Sequence, residues 1–454
     1  MRSFLGNRRS SQSFPGLPSP ASFLNAYLLH NLASVRFVNG SAAMTTSELQ
    51  LVAGLSSRGR NPAHARSRAY SGSRAASKLN VTVHESIHDM NPAEWNEIVK
   101  EGGVWQTHAA LALLEDGGLE NCRARYLTFR TVDGRMAAHS AVYIMETDLL
   151  IFSSGLVKSL LDKVRRVAGD FLRPRVLECG CPVSAGNPIC RGDGITYADI
   201  FGPLCDALER LAAKERVRFI LLRDFIEEDV RELTRLAEHG FTRIPNLPTT
   251  QLRIRWRSFD EYLAAMRSRH RQKIRRGLGL AQKSGLTARW KDEFSGMAEE
   301  LARQWSNVNR QAKEYSRERV TQDFFRHVNS ALGSRCRLLE ILQGGRMVAH
   351  ALVASDGTLL RWLLFGREDG HARDGAYFLV IARIIEFAIE EGLDLIEMGL
   401  TTYSPKTDFG AQMVPLSMFA RVRGVPGAVV LKLFHLLNPV PEVRDRASFR
   451  QIPP

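Results

Sequence analysis

An order of elements that occurs twice constrains this chain more than any other feature. Val132-Asp133-Gly134-Arg135 joins the runs Arg125–Arg130 and Met136–Ile144, and Asp-Gly between such alternating runs specifies a β-hairpin. Gly344-Gly345-Arg346 joins Arg337–Leu342 to Met347–Ala354 in the same way. After the first hairpin the pattern reads as a strand over 149–152, a helix over 159–171, a strand over 176–179, a long helix over 197–215 and an apolar strand over 217–222. After the second come a strand over 358–365, a helix over 376–391 stopped by Gly392, and strands over 393–398 and 415–422. The turns and the strand pattern are all that aligns, so the repetition is one of fold rather than of residues. It predicts an α/β (α+β) protein of two tandem units, each a mixed, partly antiparallel sheet flanked by helices. The boundary falls near residue 250, in Asn246-Leu247-Pro248-Thr249-Thr250, giving units 79–250 and 251–440 and a tail, 441–454. A single long helix is expected over 259–284.

At 454 residues the chain is too long for one ordinary core, in keeping with two units. No apolar run reaches the ~18 residues of a membrane span. Of the net charge of +14, residues 1–80 carry +9, with nine Arg, one Lys and only Glu48 opposing them. The remaining excess is small, which suits a phosphate-bearing ligand better than a duplex-binding surface. Residues 1–78 lack periodicity and read as a disordered or cleavable leader. They describe either an organelle transit peptide, with Arg68-Ala69-Tyr70-Ser71 as a cleavage site and a mitochondrial matrix destination, or a chain whose true start is later, near Met44, in the cytoplasm. Cys179, Cys181 and Cys190 lack the paired spacing of a zinc site, so no metal is expected.

The segment from Gly344 through Val353, the run Thr358-Leu359-Leu360-Arg361-Trp362, Gly366 and the helix from Tyr377 resemble the acetyltransferase-like (GNAT) domain shared with Fem-type peptidoglycan aminoacyltransferases. The basic helix Ser268-Arg269-His270-Arg271-Gln272-Lys273-Ile274-Arg275-Arg276 and the stretch Met398 to Ala411 are similar to tandem-domain bacterial proteins associated with cellulose biosynthesis (CelD-like) or peptidoglycan. The resemblance implies an N-acetyltransferase-like acyltransferase, with acyl-CoA as co-substrate rather than a bound cofactor. The acceptor would be an amine or hydroxyl of a cell-envelope, polysaccharide or small-molecule compound. Gly370-His371-Ala372-Arg373-Asp374-Gly375-Ala376 stands where the family places R-x-x-G-x-G/A, without its spacing, which leaves open a charged tRNA as donor. The alternative class is an inactive ligand- or partner-binding module on the same fold.

Candidate residues follow from position. Arg269, Arg271, Lys273 and Arg275 form a cationic helix able to grip a phosphate-bearing donor, with Arg373 and Gly375 at the start of the next helix. Glu397, at a strand end, and His350, within a strand, are candidate bases for deprotonating an acceptor amine. Tyr403 and Lys406, the other two candidate catalytic residues, belong to a loop after that strand. The loop can bind a carboxylate or phosphate and donate a proton, with Lys406 expected as a binding cation on a stiff platform. Asp224, ending an apolar strand, reads as a cap or loop residue.

Overall fold

The computed structural model describes residues 79–100, 102–147, 173–311, 319–437 and 447–450. The leader, the expected elements over 149–152 and 159–171, and most of the tail lie outside these residues.

Strands β1 (Asn80–His84), β2 (Cys122–Arg130) and β3 (Met136–Glu146) form an antiparallel meander around the Asp133-Gly134 turn. Strand β4 (Arg175–Cys179) continues it, and β6 (Phe219–Phe225) then lies parallel to β4. A short strand, β5 (Ile189–Arg191), adds to β3. A parallel pair needs a crossover, supplied here by the helix Tyr197–Lys214, which buries a stripe from Tyr197 to Ala212. The second half repeats this. Strands β8 (Leu286–Lys291), β9 (Cys336–Gln343), β10 (Arg346–Asp356) and β11 (Leu359–Arg367) are antiparallel neighbours, and β12 (Leu395–Gly399) runs parallel to β11 after the crossover helix Ala376–Glu390.

The halves meet by exchanging strands. β7 (Thr242–Arg253) comes from the first half but pairs with β12, and β13 (Gln412–Val422) comes from the second half but pairs with β6. β7 and β13 pair with each other at the centre, so one continuous sheet runs β1-β2-β3-β4-β6-β13-β7-β12-β11-β10-β9-β8. Residues 246–250, expected as punctuation, therefore lie inside a twelve-residue strand. Pro245 and Pro248 are tolerated there beside register shifts in the facing strands.

The expected helix over 259–284 is two, Phe259–Ala265 and Ser268–Lys283, because Met266 adopts an extended backbone. Phe449 of the expected tail packs on Trp256, ring centroids 4.8 Å apart, so that part of the tail belongs to the core. Each half has an apolar cluster beneath its crossover helix, and a third cluster draws Trp95, Trp105, Tyr126 and Tyr143 together with Phe324, Phe325 and Leu352.

Superposing the halves by topology exposes residues that do align. Gly134-Arg135-Met136-Ala137-Ala138-His139 and Gly345-Arg346-Met347-Val348-Ala349-His350 start β3 and β10 at equivalent places. Both histidines are buried, and each bonds the sheet to a helix of its own half. His139 Nε2 donates to the Trp95 carbonyl at 3.0 Å, and His350 Nδ1 donates to Gln304 Oε1 at 2.9 Å. The repetition is thus one of residues as well as of fold, contrary to expectation.

Candidate active site

A cleft of about 830 Å³ opens at the centre of the sheet, where the parallel pairs β4/β6 and β11/β12 end. Crevices beyond the carboxyl ends of parallel strands are where α/β sheets bind ligands. Its walls carry Arg223, Arg361, Arg367, Arg373 and Lys406, and among the described residues Glu397 is the one carboxylate. The cleft is therefore electropositive.

Glu397 and Arg361 face one another across the register of β12 and β11 and form an ion pair. Glu397 is 7 % exposed and also accepts from Thr249 Oγ1 at 3.1 Å. Arg361 reaches into the first half, donating from Nη2 to the Gly102 carbonyl at 2.9 Å and from Nη1 to the Ala185 carbonyl at 3.2 Å. One guanidinium thus ties β11, β12 and two first-half loops to the cleft wall.

Beyond Glu397 the backbone is strained. Gly399, Thr401 and Thr402 have φ of 71°, 61° and 48°. Left-handed threonines cost roughly 1–3 kcal/mol each and persist only where the surroundings impose them. Lys406 imposes them. The expected loop after Thr402 is a short helix, Tyr403–Asp408, and it carries Lys406 back under the turn. Its Nζ donates to the carbonyls of Gly399, Leu400 and Thr401 at 3.3, 3.1 and 2.9 Å. Lys406 lines the cleft, but it is 4 % exposed and those hydrogens are directed at backbone oxygens rather than outward. Tyr403 is spent on structure too, its hydroxyl donating to the Pro248 carbonyl at 2.9 Å.

The crossover helix of the second half starts at the same cleft. Gly375, φ 89°, is its N-cap, and a Cβ there would stand 2.6 Å from both the Gly277 carbonyl oxygen and the Ala281 nitrogen. Only glycine permits that approach. Asp374 Oδ1 accepts from the Ala376 N–H at 3.0 Å, so a carboxylate already sits at this helix start, and Arg373 lies exposed beside it.

The other expected residues are not brought to the cleft. His350 is fully buried behind the sheet against Phe325 and absent from the cleft lining, and burial pushes its pKa down to about 3. Gly366, opposite it in register, leaves the space the imidazole fills, because a Cβ there would meet His350 Cε1 at 2.0 Å. The basic helix meets the cleft through Gly277 and Leu280 instead of its cations. Arg271 caps the preceding helix through the carbonyls of Ala264 and Met266, Lys273 pairs with Asp408, and Arg269 and Arg275 are exposed. Asp224 is no loop residue: fully buried, it meets Arg223 Nη1 at 2.7 Å and accepts from Asn246 at 2.7 Å. Sequence reasoning missed Arg361, although its position on a strand parallel to that of Glu397 was the available signal.

The sequence model of the FemAB-like family, described as peptidoglycan biosynthesis/recognition, matches residues 86–403, from before β2 through the strained turn after β12. The chain belongs to the FemAB-like family. In Mycobacterium tuberculosis, a protein provisionally named 8-amino-7-oxononanoate synthase 2 is 25 % identical over 314 residues, 68 % of this chain. The chain spans 41 % of that relative's length. Among solved structures, FemX aligns with TM-score 0.47 and 13 % identity over 78 % of this chain and 99 % of its own. A tandem GNAT protein from the clavulanic acid biosynthesis pathway aligns with TM-score 0.44 and 11 % identity over 76 % and 99 %. Among the described residues no helix is long and apolar enough to cross a membrane.

Proposed function

We propose that this FemAB-like protein transfers an aminoacyl group to an amine of a peptidoglycan-type acceptor in the central cleft. The observation that carries this reading is the convergence, at the ends of β11 and β12, of a buried carboxylate, a strained turn and a ring of cations. The acceptor amine attacks the aminoacyl ester carbonyl as the free base. As the new C–N bond forms and the ester C–O bond breaks, a carboxylate takes the amine's proton and returns it to the departing hydroxyl of the donor. Glu397 is that group, and Arg361 with Thr249 fixes its orientation. Lys406 engages the 399–401 carbonyls at the cleft wall, and in this reading backbone amides of the same turn stabilise the developing oxyanion. Proximity then supplies much of the acceleration, and no covalent enzyme intermediate is required.

Asp374 favours an aminoacyl ester over acyl-CoA as donor. A diphosphate seated on the helix that starts at Ala376 would meet a carboxylate already bonded to the first N–H. Arg367 and Arg373 are the cleft cations available to a donor phosphate. The test supplies an amine-bearing peptidoglycan precursor with either charged tRNA or acetyl-CoA and follows the acceptor's mass. Mass gain with charged tRNA is expected. Gain with acetyl-CoA alone would overturn the donor assignment, and gain with neither would overturn transfer.

A further inference from the structure

Between Glu261 and Asp292 the chain runs thirty residues without an acid and carries nine Lys or Arg. The rest of residues 81–454 holds 43 basic and 47 acidic residues, so the positive charge of that region comes from this one stretch. Most of it is the helix Ser268–Lys283. Four of the cations are engaged: Arg267 by the Phe449 carbonyl, Arg271 by carbonyls before the helix, Lys273 by Asp408 and Arg289 by Glu340. Arg269, Arg276 and Lys283 are exposed and form no ion pair among the described residues. Their one polar contact is a long bond, 3.4 Å, from Arg276 Nε to the Gln272 carbonyl of the same helix.

These three stand seven residues apart, two helical turns each, and so share one stripe. Leu280, 44 % exposed, lies on the same stripe and lines the central cleft. At 1.5 Å per residue the stripe runs ~20 Å along the surface and reaches the cleft mouth. There it approaches the exposed Arg373, two residues before Gly375, whose backbone packs on Gly277 and Ala281 of the basic helix. Gly279 adds an independent sign. It lies between Arg276 and Lys283, and a Cβ placed there would meet nothing within 4 Å. Packing inside the protein does not call for glycine at that position. Glycine within a helix is destabilising, and its use is to let another backbone come close.

We propose that this stripe binds the ribose-phosphate backbone of the RNA that carries the donor group, and so delivers its charged end to the cleft. The inference rests on charged tRNA as donor. Cations spread over ~20 Å lie farther apart than the phosphates of one nucleotide reach, so the partner is a polyanion with repeated phosphates. A membrane surface is the other polyanion of this kind. A helix lying on a membrane buries its apolar face there, whereas Ile274 and Ala281 are turned into the protein.

The test measures binding of uncharged bulk tRNA to the full chain by fluorescence anisotropy, at roughly 50 to 300 mM salt. The triple variant Arg269→Gln/Arg276→Gln/Lys283→Gln is expected to bind at least ~30-fold more weakly at ~100 mM salt and to lower the salt slope by about 2. Its melting temperature should not change, because none of the three side chains holds another element. Residues 1–78 are present in every sample, so their charge cancels in the comparison. Arg135→Gln/Arg346→Gln, which removes two exposed cations at the hairpin turns, should keep tRNA affinity within about twofold. Gly279→Leu changes no charge and should weaken tRNA at least ~fivefold without lowering the melting temperature, and it carries the test if the triple variant unfolds. No tRNA binding by the unaltered chain, an unchanged slope in the triple variant, an equal loss in the hairpin control, or indifference to Gly279→Leu would each overturn the assignment. So would full tRNA affinity in the triple variant with lost binding to vesicles of equal phosphatidylglycerol and phosphatidylcholine. Stripe-dependent tRNA binding without any transfer activity would leave the assignment standing and sink the transfer reading instead.

Discussion

The β4/β6 pair and the β11/β12 pair hold equivalent places in the two halves and both end at the cleft, yet one keeps its acid sealed and the other brings it to the wall. Each is tied by an Arg–Glu pair, with the polarity reversed: Glu178 on β4 with Arg223 on β6, and Arg361 on β11 with Glu397 on β12. In the first half the acid is inaccessible, and a second carboxylate, Asp224, closes around the same guanidinium. In the second half Glu397 lies at the cleft wall, and the chain beyond it strains rather than seals. The crossover helices differ in the same sense. Thr196 and Asp199 cap the first helix with a reciprocal capping box, whereas Gly375 gives the second no side-chain cap of its own. A duplicated frame has kept its stabilising pair in one copy and turned the corresponding pair toward chemistry in the other.

The largest effect expected from this comparison is on acid stability, because it acts in both halves at once. Burial pushes the pKa values of His139 and His350 down to about 3, from an ordinary 6.5. The folded state holds both neutral, while the unfolded state binds protons below 6.5. Stability is therefore complete above pH 6.5 and is lost as pH falls toward 3. Between pH 6 and 5, before most carboxylates titrate, each histidine should contribute a slope of about 1.4 kcal/mol per pH unit. Urea melts across that window measure it, and His350→Gln should remove one proton's share. A flat profile would deny the histidines their shared anchoring role.

Next is Arg223→Met, which strands Glu178 and Asp224 without their cation and should cost about 3–5 kcal/mol in urea denaturation. A loss under 1 kcal/mol would show that the first half is not held by this pair. Glu397→Gln should lower kcat/KM at least ~100-fold, about 2.7 kcal/mol of transition-state stabilisation. It should also lose roughly 1–3 kcal/mol of stability as Arg361 keeps only a neutral partner, so activity is measured well below the variant's melting temperature. Full activity in that variant would return Glu397 to the structural role of Glu178.

How much of this was legible in the residues follows from how far each feature reaches along the chain. The hairpins, the crossover helices and the apolar strands are local patterns of period 2 or 3.6, and the structure reproduces them. The exchange of β7 and β13 is not local: nothing within 242–253 says that its partner is a strand from the other half. The Gly-Arg-Met-x-Ala-His repetition was present to be found, and aligning the hairpins by their turns, not by their lengths, would have moved His350 from candidate base to anchor. Lys406 was misjudged for a different reason. Its residue type and its Ser-Pro neighbours fit a presented cation, but the three carbonyls it binds exist as a cluster only once Gly399, Thr401 and Thr402 turn left-handed.

Lys406→Met should therefore destabilise the protein by about 2 kcal/mol, because three half-buried carbonyls lose a charged donor. Activity should fall with it as the turn relaxes. An unchanged melting temperature with lost donor affinity would restore the expected binding cation.

The smallest expected effect separates the left-handed residues of the two halves. Thr401, φ 61°, and Asp224, φ 71°, both follow the buried ends of parallel pairs. Glycine at either position removes the clash of a Cβ in the left-handed region, although it also enlarges the unfolded ensemble. Thr401 contributes its carbonyl to Lys406, a bond that glycine keeps, so Thr401→Gly should stabilise by about 0.5–1 kcal/mol. Asp224→Gly gains the same backbone relief but removes the carboxylate that meets Arg223 and Asn246, and it should be destabilising on balance. Opposite signs in matched thermal melts are expected if strain in the first half is sustained by a side chain and strain in the second by a lysine acting on the backbone. Equal signs would mean that the two turns are held in the same way, and the distinction between a sealed half and a working half would fail at this point.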